Sequence, residues 1–308
     1  MAGAAKRSAR LRRDAVVPDE FRAALAKRFR PIVVNPPMQH DENAPHASET
    51  TQVPAVELVG LTKEYDGKRA VDDLTLRVEQ GEFFGFLGPN GAGKSTTIKL
   101  LCGLLRPTSG RAFVMGTPVD QDPLWVRRHI GVLPEEACLY ERLSPLESLR
   151  LVGRLHGLDE LEITKRSSAL LDLMEISAPD RRRLVLDFSM GMRKKVALAT
   201  ALIHGPRLLF LDEPFNGIDA VTMRAIQQVL KDAVARGVTI FFSSHILDVV
   251  QRLCSRLAII HEGKLRVMGT LEQARVHMGA DSSATLEDLF VEIAGGGRVK
   301  SGGLEFLR

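Results

Sequence analysis

One stretch of nine residues constrains this chain more than any other. Gly88-Pro89-Asn90-Gly91-Ala92-Gly93-Lys94-Ser95-Thr96 fits the pattern G-x-x-x-x-G-K-S/T. It follows the apolar run Phe83-Phe84-Gly85-Phe86-Leu87, which reads as a buried strand, and precedes Thr97-Ile98-Lys99-Leu100-Leu101, which reads as the start of a helix. Strand, glycine-rich loop and helix together are the context in which consecutive backbone N–H groups cradle phosphates, helped by the positive end of the helix. Lys94 is expected between the β- and γ-phosphates of a nucleotide, and the Ser95 hydroxyl on Mg²⁺.

Two further segments carry matching chemistry. The run Leu208-Leu209-Phe210-Leu211 ends in Asp212-Glu213-Pro214, setting two carboxylates at the end of a buried strand. Asp212 suits a Mg²⁺ contact through water, and Glu213 a general base that polarises an attacking water. Many strands end in acidic loops, so this run gains its meaning from the phosphate loop. Another apolar strand, over 238–242, closes with Ser243-Ser244-His245. The pattern leaves His245 open between a satisfied structural residue and a group that touches a γ-phosphate and orients water.

Around these segments the chain changes texture several times. Residues 6–30 are basic, with an amphipathic pattern around Phe21, Leu25 and Phe29. Residues 31–54 hold five prolines and read as a linker. Strand-like alternation begins at Val56, over 56–61 and 74–78, with a further buried strand expected over 257–260. From about 144 to 202 the pattern is helical. Ser144-Pro145-Leu146-Glu147 reads as a capping box opening a helix over 146–156. A helix over 223–235 presents Ile226, Val229, Leu230 and Val234 as a core stripe. Helices inserted between two sets of strands indicate a helical subdomain on an α/β core.

Charge and composition remove several classes of function. Residues 1–54 carry 9 Lys+Arg against 6 Asp+Glu, leaving 33 against 32 in the rest of the 308-residue chain. The body is nearly neutral, which argues against a nucleic-acid partner. The basic leader is either a solvated extension or an attachment to an anionic membrane surface. No apolar run reaches the length of a membrane span, and no secretory leader is expected. Cys102, Cys138 and Cys254 lie far apart without metal-ligand spacing. They are expected to be small buried hydrophobes in a reducing compartment. Asp180-Arg181-Arg182-Arg183 reads as a solvated surface run, and Trp125 as a packing aromatic.

The ordered set of motifs resembles the ATP-binding subunit of ABC transporters over about residues 56–269. Tyr65, 23 positions before Gly88, matches the aromatic that stacks on adenine in that family. Phe188-Ser189-Met190-Gly191-Met192 is similar to the family signature at Ser189 and Gly191, and precedes the apolar helix 196–202. Asn216-Gly217-Ile218-Asp219 matches the loop after the acidic strand, and His245 the switch histidine. Three positions depart from the family pattern. Met190 and Met192 stand where glycine and glutamine are usual, and Glu135 stands where a metal-contacting glutamine is usual, although a carboxylate also ligates Mg²⁺.

The resemblance implies an α/β fold: a P-loop NTPase core with a mixed sheet, an antiparallel β subdomain and an inserted helical subdomain. It implies domain limits of 1–54 for a basic, Pro-rich N-terminal extension, 55–272 for the ATPase domain with its helical subdomain at about 136–190, and 273–308 for a short C-terminal extension. ATP and Mg²⁺ are the implied cofactors. Nucleotide contacts are implied for Tyr65, for Gly88 through Thr96, and for Ser189, Gly191 and Asp219. Metal contacts are implied for Ser95, Asp212 and Glu135, and catalytic roles for Glu213, His245 and Lys94. Two copies are implied to pack head to tail, each signature closing on the other's ATP. Segment 138–144 lies where the family docks its membrane partner. The overall texture, with Thr285-Leu286-Glu287-Asp288-Leu289-Phe290, is similar to the subfamily that serves ABC-2 type exporter permeases, which implies a place on the cytoplasmic face of the membrane. The alternatives are a soluble ABC-type ATPase, or a weakly hydrolysing regulator suggested by Met190 and Glu135.

Overall fold

The computed structural model describes residues 53–281 and 283–295. Six strands form its central sheet: β3 (Phe83–Leu87), β6 (Ile130–Leu133), β7 (Leu208–Asp212), β8 (Thr239–Ser244), β9 (Arg256–His261) and β10 (Lys264–Gly269), in the order β10-β9-β3-β8-β7-β6. The first five of these in sequence run parallel, and β10 returns antiparallel to β9. A second sheet, β2-β1-β4-β5, is antiparallel throughout. It is built from β1 (Val56–Tyr65), β2 (Lys68–Val78), β4 (Ser109–Val114) and the two-residue β5 (Thr117–Pro118).

The period-2 pattern of the parallel strands explains the layering. Side chains alternate between faces, so a strand covered on both sides is apolar at every position. Phe84, Phe86, Leu208, Phe210, Phe241, Ala258 and Ile260 join one core with the antiparallel sheet and with α1 (Lys94–Leu101) and α2 (Pro123–His129). Their neighbours Phe83, Leu87, Leu209, Leu211, Ile240, Phe242, Leu257 and Ile259 join the core on the other face. Each of these large side chains contributes roughly 1.5–3 kcal/mol through burial.

The helices of that second core are α3 (Pro145–Leu155), α4 (Glu160–Leu173), α5 (Met190–Leu202), α6 (Ala220–Val234), α7 (Leu247–Leu253), α8 (Leu271–Met278) and α9 (Leu286–Ile293). α3 opens with the expected capping box: Ser144 Oγ accepts the Glu147 N–H at 3.3 Å, and Glu147 Oε2 accepts the Ser144 N–H at 2.8 Å. That exchange satisfies two amides the helix itself cannot pair. α3 packs on α4 and α5, and α9 buries Leu286 and Leu289 in the same core. The stripe expected on 223–235 is the inner face of α6, where Ile226, Val229 and Leu230 are buried.

Some expectations change. Cys102 is buried and Cys254 nearly so, and burial pushes the Cys102 thiol up to about 12. Cys138 is exposed, because it lies in the irregular segment between β6 and α3, where its neighbours Ala137 and Leu139 take the places against the second core. Strands β1 and β2 are longer than the alternation alone suggested, since their ends pair with each other as Tyr65↔Lys68 across the Asp66-Gly67 turn. Among residues 180–183, Arg183 pairs with Asp180 at 2.7 Å, and Arg181 reaches back to Asp172. Trp125 packs partly buried against the first core and stacks on His129. The basic and proline-rich extension lies outside the described residues except for Val53 and Pro54, as does the glycine-rich end beyond 295.

Candidate functional site

The C-terminal ends of β3, β7 and β8 meet at one edge, where an open parallel sheet offers a crevice for ligands. Leu87 pairs with Ser244, and Ser243 with Asp212, so the loops leaving these three strands start level with one another. They enclose a cavity of about 420 Å³. Pro89, Asn90, Gly91, Gly93, Lys94, Ser95 and Thr96 form one wall. Glu135, Glu213, Asn216 and His245 form the other, with Ala70 at the rim.

Gly93 explains the shape of the first wall. It caps α1 with φ of 104°, makes no side-chain cap bond, and leaves no room for a Cβ, which would stand 2.2 Å from the Ala70 carbonyl oxygen. A glycine therefore turns the chain directly into a helix whose first amides have no capping side chain, the arrangement that suits an anion. Lys94 is buried and folds back over the loop, donating to the Gly88 carbonyl at 2.7 Å and the Pro89 carbonyl at 3.3 Å. Gly88 and Ala92 lie beneath the loop: Ala92 is buried in the core, and a Cβ on Gly88 would meet the Ile260 carbonyl at 2.5 Å.

Glu213 is the most constrained residue of the second wall. Its φ is 46°, a left-handed conformation that costs a non-glycine residue about 1–3 kcal/mol unless its surroundings impose it. The surroundings hold it on every side. Its N–H donates to Ser243 Oγ at 3.1 Å, and its carbonyl accepts from Lys194 Nζ at 2.8 Å. Its Oε2 lies 2.9 Å from His245 Nδ1. Its Oε1 lies 3.4 Å from Lys94 Nζ and takes no hydrogen bond. Ser243 also donates to Asp212 Oδ1 at 2.6 Å, so one hydroxyl ties the two carboxylate residues together. Asp212 itself is buried behind the cavity wall.

The remaining expected residues lie outside the lining of this cavity. Tyr65 ends β1, half-exposed, with Lys63 Nζ 5.0 Å from its ring centroid. Ser189 caps α5 by accepting the Met192 N–H at 3.3 Å. Gly191 is buried against α6, where a Cβ would stand 3.1 Å from Thr222 Oγ1. Asp219 caps α6: Oδ1 accepts the amides of Val221 and Thr222, and Oδ2 the Thr222 hydroxyl. These bonds, Thr222's first, hold its carboxyl below the usual range. A neighbouring groove of about 570 Å³ shares Glu135 and Asn216 with the cavity and reaches Met190.

Three contributors carry roles that the sequence did not assign them: Ser243 as the bridge, Asn216 as a wall, and Lys194 beneath the loop. Ser243 stands one residue past an expected strand, so its position carried a signal. Lys194 sits in a basic Arg-Lys-Lys run that looks like a solvated helix face, and nothing in the one-dimensional pattern marks it as buried.

Comparison with known proteins gives the class of molecule that this fold and cavity define. The family model described as "ABC transporter" matches residues 71–216. The daunorubicin/doxorubicin resistance ATP-binding protein DrrA of Streptomyces peucetius is 38% identical over 227 residues, which span 74% of this chain and 68% of that protein. The bacitracin transport ATP-binding protein BcrA of Bacillus licheniformis is 38% identical over 213 residues, 68% of each. Among solved structures, an ATP-binding subunit of an ABC transporter aligns with a TM-score of 0.73 at 34% identity, covering 78% of this chain and 99% of that one. A dimeric ATP-binding cassette in a post-hydrolysis state bound to ADP and Pi aligns at 0.66 and 26%, covering 70% and 98%. The chain belongs to the ABC transporter family, as an ATP-binding subunit that hydrolyses ATP.

Proposed function

We propose that the cavity between the Gly88–Thr96 loop and Glu213 binds MgATP, and that its hydrolysis drives a separately encoded ABC-2 type membrane permease in the direction of export. The observation that carries this reading is the left-handed Glu213, whose carboxylate lies between Lys94 at 3.4 Å and His245 at 2.9 Å at the mouth of the phosphate loop.

On this reading, Lys94 exchanges the Gly88 and Pro89 carbonyls for β- and γ-phosphate oxygens, and backbone N–H groups between Asn90 and Thr96 take the rest of the phosphate charge. Tyr65 stacks on the base. Glu213 Oε1 accepts a proton from the attacking water, and His245 fixes the carboxylate through Oε2 and meets the γ-phosphate. Ser95, Asp212 and Glu135 are hard oxygen donors near the phosphate end, the kind Mg²⁺ prefers, and Asp212 Oδ1 is already fixed by Ser243. Bound there, the metal would neutralise charge on the phosphates.

Ser189 and Gly191 line no part of their own chain's cavity, which supports their serving the ATP of a second copy in a head-to-tail homodimer, with Asp219 at the same junction. One of the solved relatives is a dimeric cassette. The domain limits of 1–54, 55–272 and 273–308, with a helical subdomain at about 136–190, belong to the same reading, as does docking of the permease against segment 138–144. No helix among the described residues is long and apolar enough to cross a membrane. Attachment to the cytoplasmic face through the permease belongs to the same reading. The names of the relatives, resistance to daunorubicin and bacitracin transport, favour an exporter. The nearly neutral body supports the absence of a nucleic-acid partner.

Reconstitution tests this reading. Phosphate release by the full chain should require Mg²⁺, vanish in Lys94→Ala, and rise when its ABC-2 type permease is present in liposomes. Turnover indifferent to Lys94→Ala would contradict the site, and turnover indifferent to every such permease would contradict the partner.

A further inference from the structure

A buried lysine outside the cavity lining makes the most specific contacts with the reacting end of the site. Lys194 lies one turn into α5 with 3% of its surface exposed, and its Nζ donates to two main-chain carbonyls, Glu213 and Asn216, each at 2.8 Å. Two more close approaches seat the same helix end, one on that loop and one on the start of α6 just after it. A Cβ on Gly217 would stand 2.5 Å from Met190 Sδ, and a Cβ on Gly191 would stand 3.1 Å from Thr222 Oγ1. The loop 213–219 is thus gripped by the first turn of α5, with Lys194 as its polar anchor.

The geometry points to Lys194 as a positioning residue for hydrolysis: by holding the carbonyls of Glu213 and Asn216, it keeps Glu213 in the left-handed backbone that aims its carboxylate between Lys94 and His245. This rests on the reading of Glu213 as the base. A left-handed glutamate persists only where its neighbours over-determine it. Ser243 fixes the N–H side of Glu213, and Lys194 fixes the carbonyl side. Removing the ammonium leaves a buried carbonyl without that donor and frees the peptide to relax toward an ordinary φ. The carboxylate then swings while the phosphate loop stays intact. Burial lowers the pKa of Lys194, and the charges of Glu135, Glu213 and Asp212 oppose that effect, so the surrounding acids favour the ammonium that makes these bonds. α5 also carries Ser189 and Gly191 at its start, so any movement of that helix end reaches the Glu213 peptide through one side chain.

The test is steady-state ATP hydrolysis by the full chain carrying Lys194→Met, Lys194→Gln, Glu213→Gln and the Lys194→Met/Glu213→Gln pair. Lys194→Met should lower kcat by roughly 10- to 100-fold with KM for ATP nearly unchanged, the signature of a displaced catalytic group. Lys194→Gln, one bond shorter but with two N–H donors, should fall between parent and Lys194→Met. In the Glu213→Gln background, Lys194→Met should change the residual rate by less than about twofold, because its effect runs through the missing carboxylate. A parental kcat in Lys194→Met overturns the proposal. So does an equal loss in the Glu213→Gln background, a change confined to KM, or a Gln variant as slow as the Met variant. If Lys194→Met does not fold, Lys194→Gln decides alone: a kcat at least about threefold below parent at unchanged KM supports the role, and a parental kcat refutes it. A parental rate in Glu213→Gln itself is a different failure, that of the base assignment.

Discussion

His245 Nδ1 lies 2.9 Å from Glu213 Oε2, and the other oxygen of that carboxylate faces Lys94 at 3.4 Å. The histidine is half-exposed while the glutamate is buried, so the pair joins a solvent-facing side chain to one held inside the wall. Replacing His245 with Ala should leave nucleotide affinity close to parental and reduce kcat on the order of 100-fold. Nucleotide titration and phosphate release on the same preparation check this. A proportionate loss of affinity would move His245 from the reaction to binding.

Ser243 ties the acidic strand end together, accepting from the Glu213 N–H and donating to Asp212. It is fully buried, so Ser243→Ala leaves two polar groups without this partner in a place water does not reach. Denaturant unfolding should show a loss of about 1–3 kcal/mol. Turnover should fall more than ATP affinity, because the hydroxyl touches the carboxylate wall and not the phosphate loop.

Gly93→Ala should fail at binding. The backbone sits at φ 104° and the added methyl would press on the Ala70 carbonyl at 2.2 Å, so the loop must open or β2 must move. Backbone strain alone is worth about 1–3 kcal/mol, and the steric contact adds to it. Equilibrium binding of a fluorescent ATP analogue should be lost while the far-UV circular dichroism stays that of a folded chain.

Asp219 gives a pH signature. Its folded pKa lies below the ordinary carboxylate range, because the Thr222 amide and hydroxyl and the Val221 amide bond the carboxylate form. A lowered folded pKa contributes stability that is fully present above the unfolded value and is lost as pH falls through the folded one. Asp219→Ala should therefore melt below the parent near neutral pH, and the gap should hold down to about pH 5 and then narrow steadily as the pH falls below about 4. A gap that does not depend on pH would mean the cap acts without its charge.

Much of this site was legible because its chemistry is local in sequence. The phosphate loop is contiguous between an apolar strand and a helix, and Asp212-Glu213 sits directly at a strand end. The alternation that sends Phe84 and Phe86 to one core and Phe83 and Leu87 to the other is a period-2 signal that any buried parallel strand carries. Features set by neighbour relations were hidden. That β8 lies between β3 and β7, and so brings Ser243 against Asp212, follows from strand order, which periodicity does not encode. The left-handed Glu213 was invisible for a similar reason, since no glycine or asparagine marks it. Lys194 was hidden by its company: Arg193 beside it reaches the more exposed Glu141, while Lys194 turns inward. Cys138 misled because a cysteine's usual burial is an average over folds, and this one falls in a loop.

The most direct test is the mass of Glu213→Gln by light scattering at saturating ATP. If the carboxylate at φ 46° is the base and each cavity is completed by the other copy's Ser189 and Gly191, the variant should run as a single chain without nucleotide and as a stable dimer with it. A variant that keeps the mass of one chain in ATP, while still binding the nucleotide, would contradict the shared site.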